Sequence, residues 1–427
     1  MTLVDRSIAP SLKPITQLHL HQPEQLQLDN QIPAYLFNTE TQEVAFIKLV
    51  FEAGKWQEPQ QLVAKFTNDM LEEGTANYTS RQLAEQIEFY GANLSTSTGH
   101  NHAEVNLSCL NKHLSKLLPL LQEVLTQAVF PQEELNTELR KARQRLEINR
   151  QKNEYLADEK FKAILFGSNH PYGYPATESA IDAITPQILS QFYRTHYTPG
   201  NCTAYIGGKF TNDHLQLINQ FIGSTNWKNQ PAQQPLIASS HTYEPSTQYI
   251  SKPNSMQAAI RIGKHLFNKT HPDYQQMLLV NTLLGGYFGS RLMSNIREDK
   301  GFTYGIYSAL ISMPNAGIVT IATEVNQNVW EQAVQEIFYE IDRLKTEPVP
   351  QEELLIVKNY MLGQLLSQIN GTFNQLSTIQ GLYMYGLKTD YYKRLVQTIQ
   401  TISPADIMQL AQQYFNTEDF TQVVVGE

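Results

Sequence analysis

The chain has 427 residues, 41% of them apolar, and a formal net charge of -9. That length exceeds one ordinary core, so two large lobes are expected, and the apolar share excludes a disordered chain. The acidic balance, with Lys and Arg spread thinly, argues against a nucleic-acid phosphate backbone as partner.

Residues 1–14 hold no apolar run of signal-peptide length, and no stretch of about eighteen apolar residues follows. A soluble, cytoplasmic protein with no membrane partner is therefore expected. Residues 1–28 read as a leading arm. Val44–Phe51, rich in aliphatic and β-branched residues, reads as a strand. Over 59–73, Leu62, Phe66, Met70 and Leu71 give a helix one apolar face, and Gly74 stands as its stop. A turn at Gly91-Ala92-Asn93 leads into a strand at 94–98. An amphipathic helix over 112–126 precedes Pro131-Gln132-Glu133-Glu134-Leu135, where Pro sits comfortably at a helix start. Ile184-Thr185-Pro186 opens a helix ending near Tyr197, followed by a strand at 203–208. Residues 227–248, full of Gln, Pro, Ser and Asn, lack periodicity and read as a linker.

The series then repeats. A strand at 256–262 precedes a helix over 272–284 closed by Gly285-Gly286, and a helix over 329–344 leads to Pro350-Gln351-Glu352-Glu353-Leu354. Ile402-Ser403-Pro404 opens a helix ending near Phe415, and 422–426 is strand-like. Two separate matches at almost one spacing mark a tandem duplication, with lobes at 29–226 and 249–427. Strands joined partly by direct turns and mixed with helices predict an α+β class with mainly antiparallel sheets and helices on one face. Cys109 and Cys202 alone exclude a disulfide-stapled scaffold or a Cys-rich zinc module. Two buried thiols are expected, with a single bridge left open.

These elements, in this order, resemble the insulinase/pitrilysin family of zinc peptidases over nearly the whole chain. The resemblance implies the mitochondrial processing peptidase-like metallohydrolase fold, with duplicated lobes that close around a peptide like a clamshell. Family members carry His-x-x-Glu-His on the first long helix, then Met-Leu, a variable pair and Gly-Thr. Here Lys65, Asn68 and Asp69 stand at the His, Glu and His positions, while Met70-Leu71-Glu72-Glu73-Gly74-Thr75 keeps the rest. Two His one turn apart would share a face, and the Glu would be general base for a zinc-bound water. Protonated Lys65 cannot ligate, and Asn68 cannot take a proton. A distal Glu completes the family site; Arg143-Gln144-Arg145-Leu146-Glu147 puts Arg145 or Leu146 near that place, and Glu147 within a small register shift. No metal or other cofactor is therefore expected in this chain.

Other candidates are weaker. His100 and His102 alternate on a probable strand but lack a visible third ligand, and His19 and His21 lie in the arm. Asp69, Glu72 and Glu73 could gather a hard cation such as Mg²⁺. Asn169-His170-Pro171-Tyr172-Gly173 resembles a family turn in which His170 reads as structural. Gly285-Gly286 lacks the Lys-Ser/Thr of a phosphate loop and reads as helix punctuation.

The second half carries Leu283-Leu284-Gly285-Gly286-Tyr287-Phe288-Gly289-Ser290-Arg291-Leu292, then Ile296-Arg297-Glu298-Asp299-Lys300-Gly301-Phe302-Thr303-Tyr304. This is similar to the family element in which an Arg and a Tyr, six residues between them, reach the scissile peptide from across the clamshell. Arg297 and Tyr304 match that spacing, and Arg291 reads as a structural neighbour. In one branch of the family one subunit keeps the zinc helix and the other keeps the Arg/Tyr element. The resemblance thus implies a zinc-free subunit that binds extended peptides along a sheet edge and offers Arg297 and Tyr304 to a zinc-bearing partner. Zinc is expected in that partner, and a homodimer in isolation is left open. Two alternatives stand beside this reading: a non-catalytic, core-protein-like structural or peptide-binding homologue, and a hydrolase with its metal relocated to Asp69, Glu72 and Glu73.

Overall fold

Two sheets organise the computed structural model, which describes residues 15, 18, 20–39, 43–228 and 241–427. Most of the expected linker, and His19, lie outside the described residues. The first sheet contains β1 (Glu24–Gln27), β2 (Pro33–Asn38), β3 (Val44–Phe51), β4 (Asn93–Thr98), β5 (Ala103–Leu110) and β6 (Cys202–Gly208). The second contains β7 (Thr247–Ser251), β8 (Gln257–Leu266), β9 (Thr303–Met313), β10 (Ala316–Asn326) and β11 (Thr421–Gly426). Their orders are β1-β2-β6-β3-β5-β4 and β7-β11-β8-β10-β9. Setting β1 aside, the two orders match strand for strand, so the duplication read from short sequence repeats is a duplication of topology.

Neighbours are antiparallel except β2 with β6 and β7 with β11. Each parallel pair joins the first and last strands of its half, and the intervening chain supplies the long crossover such a pair requires. The leading arm contributes β1, which pairs antiparallel with β2. Its sequence, Glu-Gln-Leu-Gln, carries only Leu26 toward the core and therefore lacks a legible strand pattern.

Each sheet carries its own half's helices on one face. The other face is covered by a helix from the opposite half. Asn153–Phe166 lays Ala157, Phe161 and Leu165 against Ala259, Val423 and Val425 of the second sheet. Thr372–Tyr383 returns the arrangement, with Leu376 and Ile379 packed on Phe37, Val50 and Tyr205 of the first. This double covering explains why β3 and β8 are buried along nearly their whole lengths. It also buries Lys48 of β3, whose ammonium donates to Gln380 Oε1 at 2.8 Å and lies 3.4 Å from Glu104 Oε2. A buried ammonium needs such partners, and here they fasten the two halves together.

The helix expected over 59–73 is shorter than its apolar spacing suggests. It runs Val63–Asp69 and continues as a 3-10 turn, Met70–Glu72. Leu62, at φ 74, leaves the chain in a left-handed conformation that ends any helix before it. Cys109 and Cys202 are both buried and free. Among the described residues no helix is long and apolar enough to cross a membrane.

Candidate functional site

The helix at the zinc-motif position is closed by its own side chains. Asn68 is fully buried; its amide donates to Ser97 O at 2.8 Å and to Glu104 O at 3.4 Å. Its carbonyl accepts from the Tyr197 hydroxyl at 2.9 Å, and burial pushes that phenol well above its ordinary value, so it stays a neutral donor. One amide thus ties the helix to β4, β5 and the end of the Pro186–His196 helix. Lys65 pairs with Asp69 one turn on. These positions do not fit a zinc ion: a cation stands at the first, a fully engaged amide at the second, and the carboxylate of the third already has a counter-ion.

Nothing nearby replaces the ligands. Leu146 is packed into the first core, while Arg145 and Glu147 are exposed on the Gln132–Arg150 helix. The relocated-metal alternative is not supported by the geometry. Asp69 is held by Lys65, Glu73 accepts from the Ser80 hydroxyl at 2.9 Å, and Glu72 is pushed up to about 7 by burial. Among the described residues no three His, Cys, Asp or Glu side chains converge as a metal site. His100 meets Pro171 O at 3.2 Å and stands edge-on to Tyr172, with its pKa lowered by burial to about 4. His170 accepts from the Tyr172 N–H at 3.0 Å, a bond within the turn at 169–173.

Glu58 caps the zinc-position helix, accepting from Ala64 N–H at 3.0 Å and from the Tyr174 hydroxyl. Burial raises its carboxyl from an ordinary 4.5 to about 7. The folded chain therefore holds this proton more tightly than the unfolded chain. The group's contribution to stability is full below about pH 4.5 and is lost as pH rises through about 7. Glu58→Gln keeps an acceptor for Ala64 and removes the titration. Between about pH 4.5 and pH 8 its stability relative to wild type should improve by about 3 kcal/mol, read from urea midpoints. A flat difference would contradict this account of Glu58.

The Arg/Tyr element is built in the opposite way. Tyr274–Asn281 runs directly into a π-helical turn, Thr282–Gly286, so Gly285-Gly286 sits inside the helix end rather than beyond it. Gly285 is required by contact: a Cβ there would lie 2.6 Å from Ser308 N. A second π-helix, Met293–Asp299, carries Arg297, and Gly301, at φ 64, turns the chain into β9. π-turns of this kind frequently accompany functional sites. Asn295 donates to Glu336 at 3.0 Å and to buried Glu340 at 2.7 Å, which fixes this helix on the Trp330–Thr346 helix behind it.

Arg291 is held by both oxygens of Glu353, at 2.8 and 3.0 Å, as a structural neighbour would be. Lys300 pairs with Glu336 at 3.2 Å. Arg297 instead stacks its guanidinium 4.5 Å from the centre of the Phe288 ring and 5.6 Å from that of Tyr304. Tyr304 is 93% exposed and Phe288 63%, both high for aromatic side chains. Together with Tyr287 and Tyr307 they wall a cavity of about 560 Å³ whose lining also includes Glu154 and Glu324. Sequence reasoning assigned no role to Phe288, although it lies in the quoted stretch. Glu154 had no local signal at all, because it comes from the helix exchanged between halves.

A β-bulge sets the aim of Tyr304. On β10, Thr323 faces Ile306 and Val325 faces Thr303, so Tyr304 and Gly305 together oppose Glu324 alone. By plain alternation Tyr304 would share the inner face with Ile306 and Ser308, which are 3% and 4% exposed. The extra residue turns it outward.

Comparison with known proteins finds family models for both halves of the chain. The insulinase (peptidase family M16) model matches residues 34–175, and the peptidase M16 inactive domain model matches residues 183–361. The chain is 23% identical over 368 residues to a Bacillus subtilis protein named uncharacterized zinc protease YmxG, covering 85% of this chain and 88% of that one. It is 22% identical over 393 residues to the non-peptidase homolog YmxG of Helicobacter pylori, covering 90% and 89%. A crystal structure of a peptidase M16 inactive domain from Pseudomonas fluorescens superposes with a TM-score of 0.84 at 23% identity, over 95% of this chain and 98% of that one. With both halves matched in the order of the duplication, and the same fold shared nearly end to end, the chain belongs to the insulinase family, M16.

Proposed function

We propose that this chain is the zinc-free subunit of a two-chain insulinase-type metallopeptidase, which binds extended peptides and supplies Arg297 and Tyr304 to the active site of a zinc-bearing partner. The observation that carries the reading is the contrast in exposure at the two sites. Asn68 is sealed by three hydrogen bonds, whereas Tyr304 stands 93% exposed beside a stacked Arg297 at the mouth of a cavity. A permanently charged guanidinium suits substrate carbonyls, and a phenol can donate to the oxyanion that develops when water attacks. β9 is the outer strand of its sheet, but Met293 and Asn281 take up its edge at Ile306 N–H and Ser308 O, so the place for an extended peptide is the cavity walled by Tyr287, Phe288, Tyr304 and Tyr307.

A purely structural homologue has no need of a tyrosine turned to solvent over a cavity with a half-buried arginine stacked beside it, and the exposure of Tyr304 favours the catalytic reading. The test is reconstitution with an insulinase-family subunit that has an intact His-x-x-Glu-His. Peptide cleavage is expected only when both chains are present, with zinc confined to the partner. Stoichiometric metal and cleavage in this chain alone would overturn the proposal, as would a partner fully active without it.

A further inference from the structure

A bulge leaves backbone groups without ladder partners, and at this one two threonine hydroxyls take them up. Thr303 Oγ1 accepts from Gly305 N–H at 3.1 Å and donates to Glu324 O at 2.6 Å. Thr323 Oγ1 lies 2.9 Å from Gly305 O, to which it donates, and 3.0 Å from Thr303 Oγ1. Both polar atoms of the Gly305 backbone are thus held by side chains rather than by β10. The next amide, Ile306 N–H, points at Met293 Sδ, 3.5 Å away on the helix that carries Arg297. Thr323 is only 3% exposed and lies on β10, next to β9, where it joins the lining of the cavity that Tyr304 walls.

We infer that Thr323 is a positioning residue: with Thr303 it latches the Tyr304-Gly305 bulge and so keeps the Tyr304 ring turned out beside Arg297. Without the latch, β9 can relax to plain alternation, which carries position 304 toward the buried face of Ile306 and Ser308. The inference rests on the role proposed for Tyr304, but the latch itself can be tested without a partner.

With 3-fluorotyrosine placed at 304 in the isolated chain, the wild type should give a single solvent-exposed ¹⁹F signal. Thr323→Val, which keeps the branched shape and removes the hydroxyl, should add a second, buried signal, and Thr323→Ser should restore the first alone. An unchanged single exposed signal in a folded Thr323→Val chain overturns the latch, whatever the complex does. In the reconstituted pair, Thr323→Val should lower kcat about 10-fold with KM within about two-fold, since small misplacements of a reacting group are costly. It should add less than about a two-fold loss on top of Tyr304→Phe, because both act through one phenol. Equal losses in both backgrounds would overturn the inference. If Tyr304→Phe itself leaves the pair fully active, the proposed function fails, while the ¹⁹F result still decides the latch.

Discussion

Tyr304→Phe is expected to lower kcat of the assembled pair by about 100-fold with KM nearly unchanged, the scale for losing one oxyanion donor of about 3 kcal/mol. The phenol is asked to act only when negative charge develops, so its loss falls on the transition state and not on peptide binding. Arg297→Ala should lower kcat/KM to a similar degree, with a larger share in KM, because a guanidinium also holds the ground-state carbonyl. Its stacking on Phe288 and Tyr304, at 4.5 and 5.6 Å, fixes the plane of the fork before substrate arrives. Arg297→Lys should therefore recover little, since an ammonium has neither the plane nor the paired donors. Tyr304→Phe should not disturb folding: Tyr304 is 93% exposed, and surface changes of this kind usually cost less than about 0.5 kcal/mol. Full cleavage by both variants, measured at saturating partner, would remove the Arg/Tyr element from the mechanism.

What could be read from the sequence follows from how far apart the cooperating residues lie. The pair proposed for the site, Arg297 and Tyr304, could be picked out because its spacing is local and both residue types suit the proposed chemistry. That Lys65, Asn68 and Asp69 stand where the family motif has His, Glu and His is legible for the same reason. What closes that position is not, since Asn68 is met by Ser97 from 29 residues away and Tyr197 from 129. The duplication shows in repeated helix starts, but the exchange of helices does not. Phe161 and Leu376 look like any apolar residue on a helix face, and nothing local says which sheet they cover. The bulge at Tyr304 defeats periodicity outright: alternation through Ile306 and Ser308 assigns Tyr304 to the core, and only the pairing with β10 reverses it. β1 is hidden because an edge strand with one inward side chain has no pattern to display.

Rebuilding the metal motif with Lys65→His, Asn68→Glu and Asp69→His is expected to destabilise the fold rather than restore a peptidase. The Lys65–Asp69 pair joins side chains 42% and 29% exposed, one turn apart, so replacing it should cost no more than about 1 kcal/mol. Asn68 is another matter. A carboxylate there keeps an acceptor for Tyr197 but turns negative charge on the carbonyls of Ser97 and Glu104, which the amide now satisfies. Protonated, it offers one donor in place of two. Breaking a fully buried polar set in this way costs about 3–5 kcal/mol, so Asn68→Glu alone should account for nearly all the loss seen in urea unfolding of the triple variant. The two new histidines would also lack a third protein ligand, because Leu146 is buried in the core and Glu147 is exposed on the surface. Titration calorimetry should accordingly show only weak zinc binding. A triple variant as stable as wild type, holding stoichiometric zinc tightly, would mean that the amide clip merely fills space the metal left. Loss of stability confined to Asn68→Glu would mean that this helix depends on the clip for its place in the fold.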